Sequence, residues 1–163
     1  MVVDSALGPV TIVAGDEAVT GLYFRHHIRR PAEETFGTAV ADDELLSEAA
    51  AQLDDYLVGH RQEFTLPLRP AGDACQQAVW RIVNEIPFGE TTTYGSIADR
   101  LGDRSLAYRV GQAVGANPLC IFVPCHRVLG ADGNLTGYAG GLNRKRALLE
   151  LEESAQVRAG RLF

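Results

Sequence analysis

The run Pro124-Cys125-His126-Arg127-Val128 sets a thiol beside an imidazole directly after an apolar segment, Leu119 to Val123. That pairing can do nucleophilic chemistry. A free thiol titrates at about 8.5, so only a small fraction is thiolate at neutral pH, and a neighbouring base is the common way to activate it. An acidic group is then needed to orient the histidine. The same two residues also suit an inert packed thiol, because free cysteine is among the most buried residue types. Read as an active pair, the dipeptide calls for a buried strand over 119–123 that delivers Cys125 to a site.

The rest of the chain limits which chemistry that site can host. Cys75, Cys120 and Cys125 are the three cysteines, an odd number with no CxxC pair and no histidine pair nearby. A disulfide framework and a zinc site are therefore not expected, and the thiols should be reduced. No metal is assigned. No stretch approaches 18 consecutive apolar residues and Met1-Val2-Val3-Asp4 lacks the features of a secretory signal, so the expected location is cytoplasmic with no membrane partner. With 163 residues, 46% hydrophobic and 22% charged, the chain can form one domain or two small ones. Charge divides unevenly: residues 1–71 hold 5 Arg against 12 carboxylates, whereas residues 72–163 hold 10 Lys or Arg against 9. A polyanion should meet the second half, and weakly, since nonspecific affinity scales with phosphates neutralised.

The elements that must position Cys125 can be read in order. Val10 to Ala14 and Ala18 to Phe24 form a hairpin about Gly15-Asp16-Glu17, after a short first strand. Asp42 and Asp43 precede a helical stripe, Leu45, Leu46, Ala49, Ala50, Leu53, Tyr56 and Leu57, that closes at Gly59. Phe64 to Leu68 can add a strand, and Pro67, Pro70 and Gly72 mark a boundary near residue 70. His26, His27, Arg29 and Arg30 read as a solvated loop. The second half reads as helix, turn, helix, strand, hairpin, helix. Helices are predicted over 74–85, over 94–101 with Thr93 as cap, and over 105–116 with Ser105 as cap. The last two form a helix-turn-helix pair. The expected class is α+β.

Taken together, these motifs resemble the O6-alkylguanine-DNA alkyltransferases, which move an alkyl group from damaged guanine onto their own cysteine. The resemblance runs from about Ala74 to Glu153. It rests on Ile86-Pro87-Phe88-Gly89-Glu90-Thr91, Thr93-Tyr94-Gly95, Ile97-Ala98, Val110-Gly111, Asn117-Pro118, the Cys125 motif, Gly130, and Thr136-Gly137-Tyr138-Ala139-Gly140-Gly141. It implies a small RNase H-like amino-terminal domain over 1–71 and a winged-helix DNA-binding and alkyl-acceptor domain over 72–163. The implied reaction is stoichiometric, irreversible transfer from O6-alkylguanine, and from O4-alkylthymine, in duplex DNA that is bound through the minor groove with the base flipped. No cofactor is implied. The protein would act as a monomer, with cooperative assembly on DNA possible.

Carried over position by position, the resemblance makes Cys125 the acceptor, His126 its base through a held water, and Glu152 the group that orients His126. Glu150 and Glu153 are equally apt on chemistry alone, and only the family register selects Glu152. Asn117 becomes a hinge between the recognition helix and the acceptor segment. Tyr94 becomes the phenol that donates to guanine N3. The Val128 carbonyl and the Ala139 amide become base readers, Tyr138 a stacking wall, and Lys145 a lysine near the site. Arg144-Lys145-Arg146 otherwise reads as an exposed patch. Ser105, Tyr108, Arg109, Gly111 and Arg127 become DNA contacts. One departure is clear: where relatives carry an arginine finger two residues before Val110-Gly111, this chain has Tyr108, with Arg109 displaced by about 100° around the helix. Tyr108 is expected to wedge into the stack instead. Two readings from other classes stay open, a thiol acceptor for a small-molecule or free-base donor and a non-acceptor damage sensor.

Overall fold

The computed structural model describes residues 1–27 and 30–160. Val2–Val3 (β1), Val10–Gly15 (β2) and Ala18–Phe24 (β3) make an antiparallel sheet in the order β1-β2-β3. Asp16 and Glu17 connect β2 to β3 with φ of 44° and 68°. Two left-handed residues in a two-residue loop match the twist of the flanking strands. The helix Glu44–Leu57 (α1) starts where the Asp43 side chain accepts the Leu46 amide at 2.9 Å, and it buries Leu46, Ala49, Leu53 and Tyr56. A side chain such as Leu53, with no exposed surface, contributes about 1.5–3 kcal/mol by its burial.

β3 is bonded on its other edge too. The Val19 amide donates to Pro67 O at 2.8 Å, the Arg69 amide to Val19 O at 2.9 Å, and the Leu22 amide to Pro118 O at 2.8 Å. Two sequence expectations change here. The strand over 64–68 reduces to a bridge between Leu68 and Val19, because Pro67 has no amide with which to continue a ladder. The expected strand over 119–123 is a tight turn, with Ile121 at φ 74° and the Val123 amide donating to Leu119 O at 2.8 Å. Prolines at 118 and 124 bracket it and deny the chain room for a ladder. Its burial is as expected: no residue from Leu119 to Val123 is more than 3% exposed.

The second half is built on capped helices. Asp73 and Gln76 form a reciprocal capping box at the start of Ala74–Val83 (α2). Thr92–Thr93 (β4) leads into Tyr94–Arg100 (α3), where Thr93 Oγ1 accepts the Ser96 amide at 3.1 Å. Ala107–Gly115 (α4) follows a short 3-10 turn over Arg104–Leu106. Ser105 is not its cap; Asp103 accepts the Ser105 amide at 2.9 Å, so the carboxylate caps the turn and Ser105 stays exposed. Trp80 Nε1 donates to Ala113 O at 2.9 Å and ties α2 to α4. Val128–Leu129 (β5) pairs in parallel with β4, and no hairpin follows it: residues 130–141 are loop before Leu142–Gly160 (α5).

The loop reading of 26–30 is divided. His26 is exposed, Arg29 lies outside the described residues, and His27 is buried, with Nδ1 accepting the Phe24 amide at 3.3 Å. An imidazole that satisfies a strand-end amide and stacks against Phe24 packs better inside than in water. Among the described residues no helix is long and apolar enough to cross a membrane.

Candidate active site

Cys125 opens a 3-10 turn, Cys125–Arg127, that directly follows the buried 119–123 turn. Asn117 holds the two ends of that segment together. Its Nδ2 donates to Val123 O at 3.0 Å while its Oδ1 accepts the Leu119 amide at 2.9 Å. A buried asparagine bonded at both ends fixes where the next residues point.

His126 is fully buried and its Nε2 lies 2.6 Å from Glu152 Oε2. A carboxylate can only accept, so Nε2 carries the proton and Nδ1 is left as a lone-pair acceptor. Nδ1 has no partner among the described residues. Glu152 reaches this position because Lys145, Leu148 and Glu152 recur at helical spacing on the inward face of α5, whereas Glu150 and Glu153 are exposed. The carboxylate is crowded with donors. Oε1 accepts from Arg127 Nε at 2.8 Å and the Gly89 amide at 3.1 Å; Oε2 accepts from His126, from the Tyr56 hydroxyl at 2.6 Å and from Arg127 Nη2 at 3.2 Å. Burial pushes the Glu152 carboxyl up, but the hydrogen bonds and charges of His126 and Arg127 outweigh it and bring it to about 2.

A carboxylate whose pKa falls on folding stabilises the fold above its unfolded value and loses that contribution as pH falls through the folded one. For Glu152 the window runs from 4.5 down to about 2. Acid titration followed by circular dichroism should therefore show stability draining over that window, and less steeply in Glu152→Gln.

Burial is the main influence on the reacting pair as well. It raises the Cys125 thiol, with the Cys120 sulfur adding to the rise and Asn117 and Lys145 opposing it. It lowers His126 against the pull of Glu152. The resting pair is thus thiol and neutral imidazole, not the thiolate that the dipeptide alone invites. Behind it, Cys120 is pushed up to about 12 by burial and sits 4.0 Å from Nε2 of His27, itself lowered to about 4 by burial and by the charges of Arg30 and Arg144.

A cleft of about 430 Å³ opens between α4 and the 137–139 loop, walled by Tyr94, Tyr108, Gly111, Tyr138 and Ala139. That volume lies within the range of roughly 300–1,000 Å³ usual for small-molecule sites. Burial raises the phenols of both Tyr94 and Tyr138, with the neighbouring Cys125 sulfur a smaller influence on each, and that sulfur has no exposed surface of its own. Tyr94 Oη donates to Thr136 O at 2.9 Å. The Lys145 ammonium donates to the same carbonyl and to Val128 O, both at 2.6 Å, and burial lowers it to about 8. Gly137 takes φ +46°, which favours glycine, and a Cβ on Gly140 would lie 2.6 Å from the buried Phe24 ring, so the second position leaves no room for a side chain.

The structure brings Cys125, His126, Glu152 and Asn117 together and sets Tyr94, Tyr138 and Ala139 around one cleft; Val128 and Lys145 do not line it, and are tied to its rim only through the Lys145 bonds to Val128 O and Thr136 O. It removes Arg127 from the DNA contacts, since that guanidinium is 7% exposed and fully engaged by Glu152 and by Ile86 O at 2.7 Å. It also removes Lys145 and Arg144 from an exposed patch. Lys145 has no exposed surface, and Arg144 stacks 4.4 Å from the Phe24 ring centroid. Ser105, Tyr108 and Arg109 are exposed, and only Tyr108 of the three lines the cleft. Sequence reasoning missed Tyr56 and Gly89 as partners of Glu152. A tyrosine in an apolar stripe reads as core, and a backbone amide leaves no mark in a sequence.

Comparisons with known proteins identify relatives of the chain. Two family models match: 6-O-methylguanine DNA methyltransferase, ribonuclease-like domain, over residues 1–70, and 6-O-methylguanine DNA methyltransferase, DNA binding domain, over residues 74–154. The chain is 45% identical over 152 residues to a methylated-DNA–protein-cysteine methyltransferase of Mycobacterium tuberculosis, covering 93% of this chain and 90% of that one. It is 43% identical over 152 residues to one from Methanosarcina acetivorans, covering 93% and 96%. The crystal structure of Mycobacterium tuberculosis OGT in complex with DNA superposes with a TM-score of 0.84 at 44% identity, covering 94% of this chain and 92% of that one.

Proposed function

Since this chain belongs to the 6-O-methylguanine DNA methyltransferase family, we propose that it repairs alkylated DNA by moving the alkyl group onto Cys125, with His126, Glu152, Asn117 and Tyr94 as its working residues. The enzyme is a methylated-DNA–protein-cysteine methyltransferase and its partner is DNA that contains alkylated guanine. The observation that carries the assignment of roles is the buried His126–Glu152 contact of 2.6 Å immediately beside the cysteine.

In the proposed step the sulfur attacks the alkyl carbon as the carbon–O6 bond breaks. The thiol proton passes to Nδ1 of His126, through a water if the gap requires one, and Glu152 stabilises the imidazolium. Guanine departs with a proton delivered to N3 by the Tyr94 hydroxyl, and the imidazolium proton afterwards restores the phenol. The protein is consumed, because a thioether has no good leaving group, and no cofactor takes part. Tyr138 and Gly137 are the proposed walls for the flat base, with the Ala139 amide and Val128 carbonyl reading its edge. Val128 O already accepts from Lys145, so it has one further lone pair to offer.

We read residues 1–71 and 72–163 as the two domains, the second a winged helix whose α4 enters the minor groove to flip the nucleotide. Two features of α4 support this. Tyr108 is 76% exposed at the rim of the cleft, and Arg109 is exposed and makes no ion pair among the described residues. O4-alkylthymine is the proposed second substrate. Three unpaired thiols suit a reducing cytoplasm.

Intact-protein mass spectrometry after mixing with an O6-methylguanine duplex tests the reading: one CH₂ unit of added mass is expected, and none in Cys125→Ser. Gain from free O6-benzylguanine but not from the duplex would instead make the protein a small-molecule acceptor, and no gain from either would make it a sensor. For Tyr108→Ala, loss of one aromatic stacking contact, about 1–3 kcal/mol, should slow transfer from duplex roughly tenfold to a hundredfold and slow transfer from free O6-benzylguanine, which needs Tyr108 only as one edge of the cleft, much less. A large loss only in Arg109→Ala would overturn that assignment.

A further inference from the structure

Tyr56 lies on α1, in the half of the chain that carries none of the acceptor motif, yet its hydroxyl ends inside the relay. Its Oη donates to Glu152 Oε2 at 2.6 Å and lies 3.4 Å from His126 Nε2. Three donors, the phenol, the imidazole and, at 3.2 Å, Arg127 Nη2, therefore converge on one carboxylate oxygen. The ring is 1% exposed and is fixed by Phe64 at 5.3 Å and by an edge contact with Phe88 at 6.1 Å between centroids. Space-filling alone would be met by phenylalanine or leucine, which bring no hydroxyl to satisfy.

We propose that Tyr56 is a positioning residue of the alkyl transfer, supplied by the amino-terminal half, which sets the basicity of His126 by sharing its carboxylate oxygen. This rests on the proposed role of His126 as the base. The physical reason is competition. Each donor draws electron density from Oε2, so a phenol at 2.6 Å weakens the pull of that oxygen on an imidazolium while keeping the carboxylate in place. His126 thereby stays neutral and ready to accept. The other groups that face the pair are Arg127 from the acceptor turn, Lys145 from α5, the Cys125 thiol and the Gly89 amide. None of them belongs to α1, so Tyr56 can be changed without removing any of these.

The full-length chain tests this through the pH dependence of the second-order rate of transfer from an O6-methylguanine duplex. The acid limb of that profile reports protonation of His126. In Tyr56→Phe the oxygen loses a competing donor, and the limb should move up by about one pH unit, so that the rate below the limb falls about tenfold and recovers at higher pH. A fluorinated tyrosine placed at position 56, a stronger donor of unchanged shape, should move the limb down, and it reads the same property should the phenylalanine variant fold poorly. Limbs that coincide with the wild type in the fluorinated protein would overturn the proposal, as would a pH-independent loss in Tyr56→Phe. Absence of transfer in the wild type would instead overturn the function proposed above, so the two failures are distinct.

Discussion

Glu152→Ala should lower folding stability by about 3–5 kcal/mol, the effect of removing one partner from a buried ion pair and stranding the other. Arg127 is the group that would be stranded. Its guanidinium is 7% exposed, with Nε 2.8 Å from Glu152 Oε1, and it would keep the bond to Ile86 O and its place over the Phe88 ring, 5.8 Å from the centroid, neither of which carries a countercharge. The Tyr56 hydroxyl and the Gly89 amide would lose their acceptor at the same time. For a fold of ordinary stability, about 5–15 kcal/mol, this is a substantial fraction, and denaturant unfolding should show a large drop in midpoint. Glu152→Gln separates chemistry from folding. It keeps the volume, but an amide that accepts from Arg127 must turn its NH₂ toward His126, which then holds its proton on Nδ1. A base with its proton on the wrong nitrogen cannot take another there, and transfer should slow by about 10²–10⁴ in a protein that still folds. A near-normal rate in Glu152→Gln would show that the imidazole is not the base.

Tyr94→Phe should slow transfer by about 10²-fold or more, the usual worth of a positioned general acid, while thermal stability changes little. The hydroxyl is half-buried and donates to Thr136 O on an exposed loop, so its loss leaves no buried group stranded. Burial raises its pKa, so the phenol keeps its proton until a stronger acceptor arrives. That acceptor has to compete with Thr136 O, which the Lys145 ammonium also engages. Stopped-flow rates with duplexes of increasing leaving-group ability provide the check: the loss in Tyr94→Phe should shrink as the leaving group needs its proton less. A loss that stays constant across the series would assign Tyr94 to binding alone.

Different parts of the molecule were legible in the sequence to different degrees, for physical reasons. α1 announced itself through a carboxylate cap and a stripe of apolar residues, and the β2–β3 hairpin through two short apolar runs about a turn. Both signals are local. The acceptor segment misled because five apolar residues are as compatible with a buried turn as with a strand, and only the flanking prolines favour the turn. Arg127 reads as a DNA contact and Lys145 and His27 as solvated because charge and imidazole usually face outward, and their burial depends on carbonyls, a carboxylate and an amide contributed from elsewhere in the fold. Glu152 is selected by resemblance alone, and the inward face that it shares with Lys145 and Leu148 is seen only in the structure. Tyr56 carried no local signal, since its partner lies 96 positions along the chain.

The bond from the Leu22 amide to Pro118 O has a consequence for the newborn chain. A ribosome completes β3 long before residue 118 has been made, so although residues 67–69 can cover the rim at Val19, the rim at Leu22 waits without its cover. An open strand rim is a template for pairing with another chain, and the hazard lasts until the acceptor region emerges to close it. Ribosome pausing between the two segments would lengthen that interval, so the tempo of translation through residues 25–117 bears on how much of the protein escapes aggregation.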